Sequence, residues 1–232
     1  MRTAWFDCST GASGNMILGA LLDAGLSLRG LKAELAKLRV SGYRLDVSRV
    51  RKAGISGTHV EVHVSGKQKE RGLKDILALI RNSRLDPETK ALASRVFESL
   101  AGAEAKAHGT TKDRVHFHEV GGLDCLVDVV GSIAGLARLG VERVYCSPLN
   151  LGRGTIECAH GTLPVPAPGT SYLFAGVPVY QDDLSGELVT PTGAAILATV
   201  AGGFGPLPSC FVCIEDKVGF FDSAVKEGKM LF

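Results

Sequence analysis

Residues 122–140 read GLDCLVDVVGSIAGLARLG, a stretch in which apolar side chains recur every three or four positions. This spacing is typical of one face of an α-helix. The apolar row consists of Leu123, Leu126, Val127, Val130, Ile133, Ala134 and Ala137. Because glycine is common just past a helix end, Gly140 marks the end of the helix. The stretch therefore predicts a helix from about residue 122 to residue 139.

Helices and strands interleave on both sides of this stretch. Upstream, Asp86 as N-cap, Pro87 at the first helical position and Gly109 past the end predict a helix over 87–108. Further predicted helices cover 15–24, 28–38, 73–80, 170–174 and 191–200, and predicted strands cover 3–9, 43–50, 58–64, 143–149, 155–158 and 210–214. This order predicts an α/β or α+β fold of interleaved helices and short strands, with a mixed sheet covered by helices.

The composition narrows the class of protein. The chain has 232 residues, of which 45% are apolar, and 26 Lys and Arg residues balance 24 Asp and Glu residues. Binding to nucleic acid or to an anionic membrane needs a concentrated basic field, so neither partner is expected. No apolar run approaches the ~20 residues of a bilayer span, and Asp7 comes too early for a secretory signal. We therefore expect a cytoplasmic protein whose six cysteines are reduced.

Histidines and acids concentrate in residues 115–128, and one more histidine ends the preceding predicted helix. In an extended segment, His116 and His118 point to the same side, so two imidazoles converge on one ion. Asp124 and Asp128 lie one helical turn apart. Mixed nitrogen and oxygen ligands favour a divalent transition ion over structural zinc. The candidate metal residues are His108, His116, His118, Glu119, Asp124 and Asp128.

That cluster also has a purely structural interpretation, in which strand hydrogen bonds satisfy the histidines and the acids cap the helix. Each residue taken alone fits this structural interpretation better than it fits a functional site. The cluster as a whole favours a functional site, because ionisable groups that converge are rarely core residues.

Glycine- and proline-rich turns provide candidate positions for a phosphate. The run Gly11-Ala12-Ser13-Gly14 joins a predicted strand to a predicted helix, where free backbone N–H groups attract anions. Thr190 and Pro191 open another helix, and His160 precedes a proline-rich loop. The candidate substrate or phosphate residues are Asp7, Gly11, Ser13, Gly14, Asn15, His160, Glu187, Thr190 and Thr192. The structural alternatives to phosphate binding are that residues 11–14 form only a tight turn and that Thr190 only caps its helix.

Taken in order along the chain, these motifs resemble those of one family. They are Asp7 with GASGNM at 11–16, AEA and HG within 103–109, VHFHEVG at 115–121 with Asp124 and Asp128, HGTLPVPAP at 160–168 and ELVTPTGAA at 187–195. This pattern resembles the nickel insertion proteins of the LarC family. The resemblance implies an N-terminal domain over 1–205, with a small α+β subregion at 28–66. It also implies a divergent tail at 206–232, without the family's C-terminal domain.

The resemblance implies a nickel chelatase of the lyase class. Members of the family insert Ni²⁺, as a substrate, into pyridinium-3,5-bisthiocarboxylic acid mononucleotide, and the reaction consumes CTP with Mg²⁺ or Mn²⁺. The product is the nickel-pincer nucleotide cofactor of lactate racemase, which holds nickel through two sulfurs and one carbon. The implied partners are a nucleotide-type small molecule and a separately encoded C-terminal LarC protein. Assembly of the chain into a homo-oligomer is left open.

Three departures from the family pattern keep other functions open. Asn15 stands where the family usually has Asp, and the segment 66–72 lacks the histidines that many members carry. The family's C-terminal domain, associated with CTP and nickel chemistry, has no counterpart here. A non-catalytic scaffold that presents nickel or the nucleotide is therefore the second hypothesis. A metal-dependent phosphate hydrolase is the third, because carboxylates lie beside glycine-rich turns.

Overall fold

The computed structural model describes residues 2–52, 54–66, 71–115, 117, 122–158 and 160–207. Helices and strands alternate along these segments, which confirms the predicted α/β class. The helices are α1 (Gly14–Asp23), α2 (Leu28–Ala36), α3 (Leu73–Asn82), α4 (Pro87–Ala107), α5 (Leu123–Arg138), α6 (Pro168–Ser171) and α7 (Pro191–Val200). The strands are β1 (Arg2–Phe6), β2 (Tyr43–Lys52), β3 (Ile55–Val64), β4 (Val141–Cys146), β5 (Leu149–Asn150), β6 (Thr155–Cys158), β7 (Gly161–Pro164), β8 (Val179–Tyr180) and β9 (Gly203–Phe204).

Parallel and antiparallel pairing are divided among small sheets. Strand β4 lies between β1 and β9 in a three-stranded parallel sheet, and β5 pairs in parallel with β8. The pairs β2–β3 and β6–β7 are antiparallel hairpins. Since β1 is parallel to β4, both strands deliver the following loops to the same edge of the sheet.

Helix α5, over the stretch quoted first, is the centre of the core. Its buried residues cover most of its circumference, beyond the single apolar row, because α1, α2, α4 and α7 all pack against it. Two glycines permit this close packing: a Cβ on Gly131 would lie 2.9 Å from Leu18, and one on Gly135 would lie 2.9 Å from Leu26. None of the helices in the described segments combines the length and the apolar content that crossing a bilayer requires.

The structure differs from the prediction mainly in its shortest elements. Strands β7, β8 and β9 have two to four residues each, too few to give a sequence period, and they were not predicted. The predicted helix at 170–174 is the short helix α6 followed by a 3₁₀ turn over Tyr172–Phe174. The predicted strand at 210–214 lies outside the described residues.

The β2–β3 hairpin is fastened to α1 by a buried carboxylate. Asp23, the last residue of α1, has 2% of its surface exposed. It accepts hydrogen bonds from the Thr58 backbone N–H at 2.8 Å and from the Thr58 hydroxyl at 2.7 Å, and it also pairs with Arg49. A buried carboxylate needs such partners to offset its lost hydration. Asp23 therefore links the hairpin to the core.

Replacing this carboxylate will destabilise the protein. In Asp23→Ala the buried Thr58 N–H loses its acceptor and Arg49 loses its counter-ion, so we expect a loss of about 3 kcal/mol in the free energy of unfolding. Urea denaturation, monitored by circular dichroism, measures this loss of stability. Asp46→Ala is the control, because 44% of that side chain is exposed and its pair with Arg44 is a surface pair. Equal losses in both variants would contradict the assigned role of Asp23.

Candidate functional site

Two of the predicted phosphate-binding segments form one structural unit. The Ala12 N–H donates to the Leu188 carbonyl at 2.9 Å, and the Thr190 N–H donates to the Ala12 carbonyl at 3.0 Å. Glycine is required on both sides, since a Cβ on Gly11 would overlap the Leu188 carbonyl and one on Gly193 would overlap the Ala12 carbonyl. The loop before α1 and the start of α7 are thus joined backbone to backbone.

The start of α1 also contacts α5 through Asp128. A Cβ on Gly14 would lie 2.6 Å from the Cβ of Asp128, so this carboxylate packs directly on the α1 backbone. The Asn15 backbone N–H donates to it. Oδ1 of Asp128 is buried and has no hydrogen-bond partner among the described residues. A buried acceptor without a partner is unusual in a folded protein, and a water molecule, an ion, a ligand or a proton on the carboxyl group would satisfy it.

A third contact closes the arrangement between α5 and α7. Sγ of Cys125 lies 3.5 Å from Oγ1 of Thr192, and both residues belong to the first turn of their helices. We call the meeting of these helix starts (residues 13–16 of α1, 123–128 of α5 and 190–193 of α7) the three-helix junction. Helix starts carry partial positive charge, which favours an anionic group such as phosphate at the junction.

The environment of Asp128 favours the protonated acid. Burial, reinforced by the negative charge of Asp124, raises the pKa of Asp128 to about 8, against the opposing effect of the Asn15 N–H. Asp124 is exposed at the first turn of α5, one helical turn away. The two predicted carboxylates therefore share one face but differ in hydration. A bound cation would compensate both charges.

Several predicted substrate residues have structural partners. The Ser13 hydroxyl donates to the Asn15 side-chain oxygen at 2.5 Å, and the Asn15 amide donates to the Val60 carbonyl at 3.3 Å. The Thr190 hydroxyl accepts from the Gly193 N–H at 3.2 Å, which is the capping alternative considered from the sequence. These side chains shape the junction by holding α1 against β3 and by starting α7.

Two further predicted acids lie on segments that lead into the junction. Asp7 follows β1, and its Oδ1 accepts from the Ser9 N–H at 3.0 Å. Burial, with the charges of Asp182 and Asp7, raises the pKa of Tyr180, which shows that Asp7 lies near β8. Oε1 of Glu187 is shielded from solvent, one residue before the backbone contact with Ala12.

His108 and His160 were assigned to different sites from the sequence, yet they lie together. Their ring centroids are 4.9 Å apart, and Nε2 of His108 is 3.4 Å from a carboxylate oxygen of Glu104. The predicted ligands His116, His118 and Glu119 lie outside the described residues, so their convergence with Asp124 and Asp128 stays a prediction. Across the described segments, no three His, Cys, Asp or Glu side chains are grouped so as to hold a metal ion.

Two of the buried cysteines, Cys8 and Cys125, are protonated thiols. Cys8, Cys125 and Cys146 are unpaired and almost completely buried. Hydrogen bonding with Cys146, together with burial, raises the pKa of the Cys8 thiol, and burial raises that of Cys125. Cys158 is partly exposed, and its Sγ donates to the Gly161 carbonyl at 3.3 Å. Cys210 and Cys213 lie outside the described residues, so the expectation that all six cysteines are reduced stays a prediction.

Cys125 was not predicted from the sequence as a site residue. It contacts a residue 67 positions away, and nothing in its local pattern distinguishes it from a core cysteine. The pairing of Glu104 with His108 likewise becomes visible only in the structure.

The raised pKa of Asp128 gives stability a definite pH dependence. The unfolded carboxyl titrates near pH ~4, and the folded one titrates at about 8. Between these values the folded state binds the extra proton, so stability falls as pH rises. We expect Asp128→Asn to gain stability relative to wild type across this window, by a few kcal/mol at most.

Thermal or urea unfolding at several pH values, with EDTA present, measures this difference. Asp113→Asn is the control, because 68% of that side chain is exposed. A constant difference between wild type and Asp128→Asn from pH 5 to pH 8.5 would contradict the raised pKa.

Comparison with known proteins identifies the family. The family model described as nickel insertion protein matches residues 4–220. The chain is 47% identical over 220 residues to the pyridinium-3,5-bisthiocarboxylic acid mononucleotide nickel insertion protein of Desulfitobacterium hafniense, covering 95% of this chain and 54% of that protein. It is 50% identical over 210 residues to a putative nickel insertion protein of a Geobacter species, covering 90% of this chain and 54% of the relative.

A putative nickel insertion protein of Dictyoglomus thermophilum is 46% identical over 220 residues, covering 95% of this chain and 56% of its own length. The chain thus spans about half the length of the curated relatives it matches. No solved structure matches it. The resemblance predicted from the motifs is confirmed, and the chain belongs to the nickel insertion protein family.

Proposed function

We propose that the chain acts in the insertion of Ni²⁺ into pyridinium-3,5-bisthiocarboxylic acid mononucleotide. In this proposal it is a cytoplasmic nickel chelatase of the lyase class that uses CTP with Mg²⁺ or Mn²⁺. Family membership supports the reaction, since the relative from Desulfitobacterium hafniense is named for it. The observation that carries the proposal is the three-helix junction with its buried, unpartnered carboxylate oxygen.

The junction offers separate groups for the parts of a metal-bound nucleotide. The helix starts supply positive dipole ends that favour phosphate. Asp124 supplies an oxygen ligand for the divalent ion that accompanies a nucleotide, since Mg²⁺ and Mn²⁺ prefer carboxylates. The Thr192 hydroxyl, beside Cys125, is a further hydrogen-bonding group at the same place.

Forming a nickel–carbon bond also requires a proton acceptor. When nickel replaces hydrogen on a ring carbon, the proton leaves and the bonding electron pair stays with carbon. A carboxylate whose pKa lies near the working pH suits this transfer. Asp128, with its pKa raised to about 8 by burial and by Asp124, is the described residue best suited to the role.

The chain's share of the family length bears on turnover. Because the chain covers 54% of its Desulfitobacterium relative, we propose that the C-terminal half of the family length, which this chain does not cover, is also needed for turnover. The second candidate function is a scaffold that binds nickel or the nucleotide without catalysis. The partial coverage of the relative also favours this scaffold. An insertion assay with and without the C-terminal half distinguishes the scaffold from the chelatase.

The test combines the chain with Ni²⁺, Mg²⁺, CTP and the precursor nucleotide, and follows the nickel-containing product by mass spectrometry. We expect product only with the C-terminal half of a relative present, and a loss of about 100-fold or more in rate for Asp128→Asn. Asp46→Asn, on the β2–β3 hairpin, is the control and should retain wild-type activity.

Three outcomes would overturn parts of the proposal. Undiminished turnover by Asp128→Asn would remove the proton-acceptor role. Nickel binding without turnover, even with the C-terminal half present, would favour the scaffold. Release of phosphate from CTP without precursor or nickel would favour the phosphate hydrolase considered from the sequence.

A further inference from the structure

We propose that His108 and His160 together form a two-imidazole binding site for a divalent transition ion. The site joins the end of α4 to the turn of the β6–β7 hairpin. The inference rests on the proposed function only for the identity of the ion, which is Ni²⁺ awaiting insertion. The juxtaposition of the two rings stands on the structure alone.

The spacing of the rings matches two ligands of one ion. A ring nitrogen binds a transition ion at ~2.1 Å, which puts the ring centre about 3.2 Å from the ion. When the two ring centres subtend an angle of roughly 90–110° at the ion, they lie about 4.5–5.2 Å from each other. The observed centroids are 4.9 Å apart, with ring planes inclined by 50°. The observed separation of the ring centres therefore lies within the range that shared coordination gives.

Glu104 orients the first of these rings. Its Oε2 lies 3.4 Å from Nε2 of His108, one helical turn back along α4. A carboxylate on one ring nitrogen fixes the ring and leaves the other nitrogen for the metal, the usual arrangement around histidine ligands. Glu104 is confined in turn, because a Cβ on Gly169 would lie 3.0 Å from its Oε1. Glu104 is therefore a positioning residue.

The location of the pair also favours a cation. His108 is the C-cap of a 21-residue helix, and its backbone N–H bonds to the Glu104 carbonyl. The carbonyl end of a helix carries partial negative charge, which attracts a cation. The charged side chain that lies beside His108 is the carboxylate of Glu104, which also favours a cation.

The two imidazoles are accessible to solvent and do not fill the coordination sphere of an ion, as temporary binding requires. The His108 side chain is 39% exposed, and His160 is exposed on the hairpin. Two protein ligands leave the remaining coordination positions to water or to an incoming ligand. A nucleotide with sulfur donors can therefore approach the ion and remove it, since sulfur binds Ni²⁺ well in competition with imidazole.

The test titrates the intact chain with Ni²⁺ alone, in wild type and in a His116→Ala, His118→Ala background that removes the other predicted imidazole ligands. Isothermal titration gives the affinity, and NMR follows broadening of the histidine ring protons at low Ni²⁺. We expect the His108 and His160 signals to broaden together. His108→Ala and His160→Ala should each lower the affinity in the double-variant background at least tenfold.

His63→Ala is the matched control, because that histidine is 40% exposed and lies beside the carboxylates of Asp46 and Glu61. It should leave Ni²⁺ affinity unchanged. The site would be overturned if the signals of the two rings broaden separately. It would also be overturned if both alanine variants bind Ni²⁺ with affinities within twofold of the His116→Ala, His118→Ala background. Either result would show that the pair is an aromatic contact only.

Glu104→Gln tests the positioning role. The amide keeps the size of the side chain but loses its charge, so Ni²⁺ affinity should fall about tenfold while the thermal unfolding midpoint is unchanged. Glu98→Gln, on an exposed position of the same helix, is its control. Unaltered affinity in Glu104→Gln would remove the role of Glu104.

The binding measurement contains neither CTP nor precursor, so its outcome is independent of the insertion assay. Loss of Ni²⁺ binding at the pair with insertion retained would refute this site and leave the proposed function standing. Ni²⁺ binding at the pair without any insertion would support this site and count against the proposed function.

Discussion

The close backbone approach between residues 11–14 and the start of α7 is the constraint on which the site depends. Gly11 and Gly193 permit it, because a Cβ on either would overlap a carbonyl of the opposite segment. The two hydrogen bonds that Ala12 makes in this contact fix α1 relative to α7. With α5 packed on both, Asp128 lies against the α1 backbone and Cys125 contacts Thr192 at the start of α7.

The same constraint creates an electrostatic imbalance at the junction. Helix starts favour negative charge, yet burial holds Asp128 largely protonated at neutral pH, and Asp124 opposes its ionisation. A divalent ion with a phosphate would balance both sets of groups. The Asp23 carboxylate is the contrasting case, since three donors from Arg49 and Thr58 satisfy it and leave no place for a ligand.

Local signals predicted the long elements and the position of the turns. Pro87, Asp86 and the apolar row of α5 act within a few residues, so α4 and α5 could be placed to within two residues at each end. The two-residue strands β8 and β9 have no internal pattern, and they exist only because β5 and β4 are there to pair with them.

The candidate site was predictable in its parts and not in its assembly. The loop at 11–14 and the helix start at Thr190 were both recognised, but their pairing spans almost the whole chain. His108 and His160 were likewise separated by the sequence order and joined by packing. Asn15, proposed for a ligand, holds β3 instead through the Val60 carbonyl, a contact that no local pattern encodes.

The buried thiols set a direction for metal transfer. Metal binds the thiolate, and the raised pKa values of Cys8 and Cys125 keep that form scarce. A protein that exposed such thiolates would compete with the sulfurs of its own substrate for nickel. The imidazole and carboxylate ligands proposed for the ion are harder than the sulfurs of the precursor nucleotide, so in the proposed function the precursor would draw Ni²⁺ away from them. Burial of Cys8, Cys125 and Cys146 keeps these three thiols out of that competition.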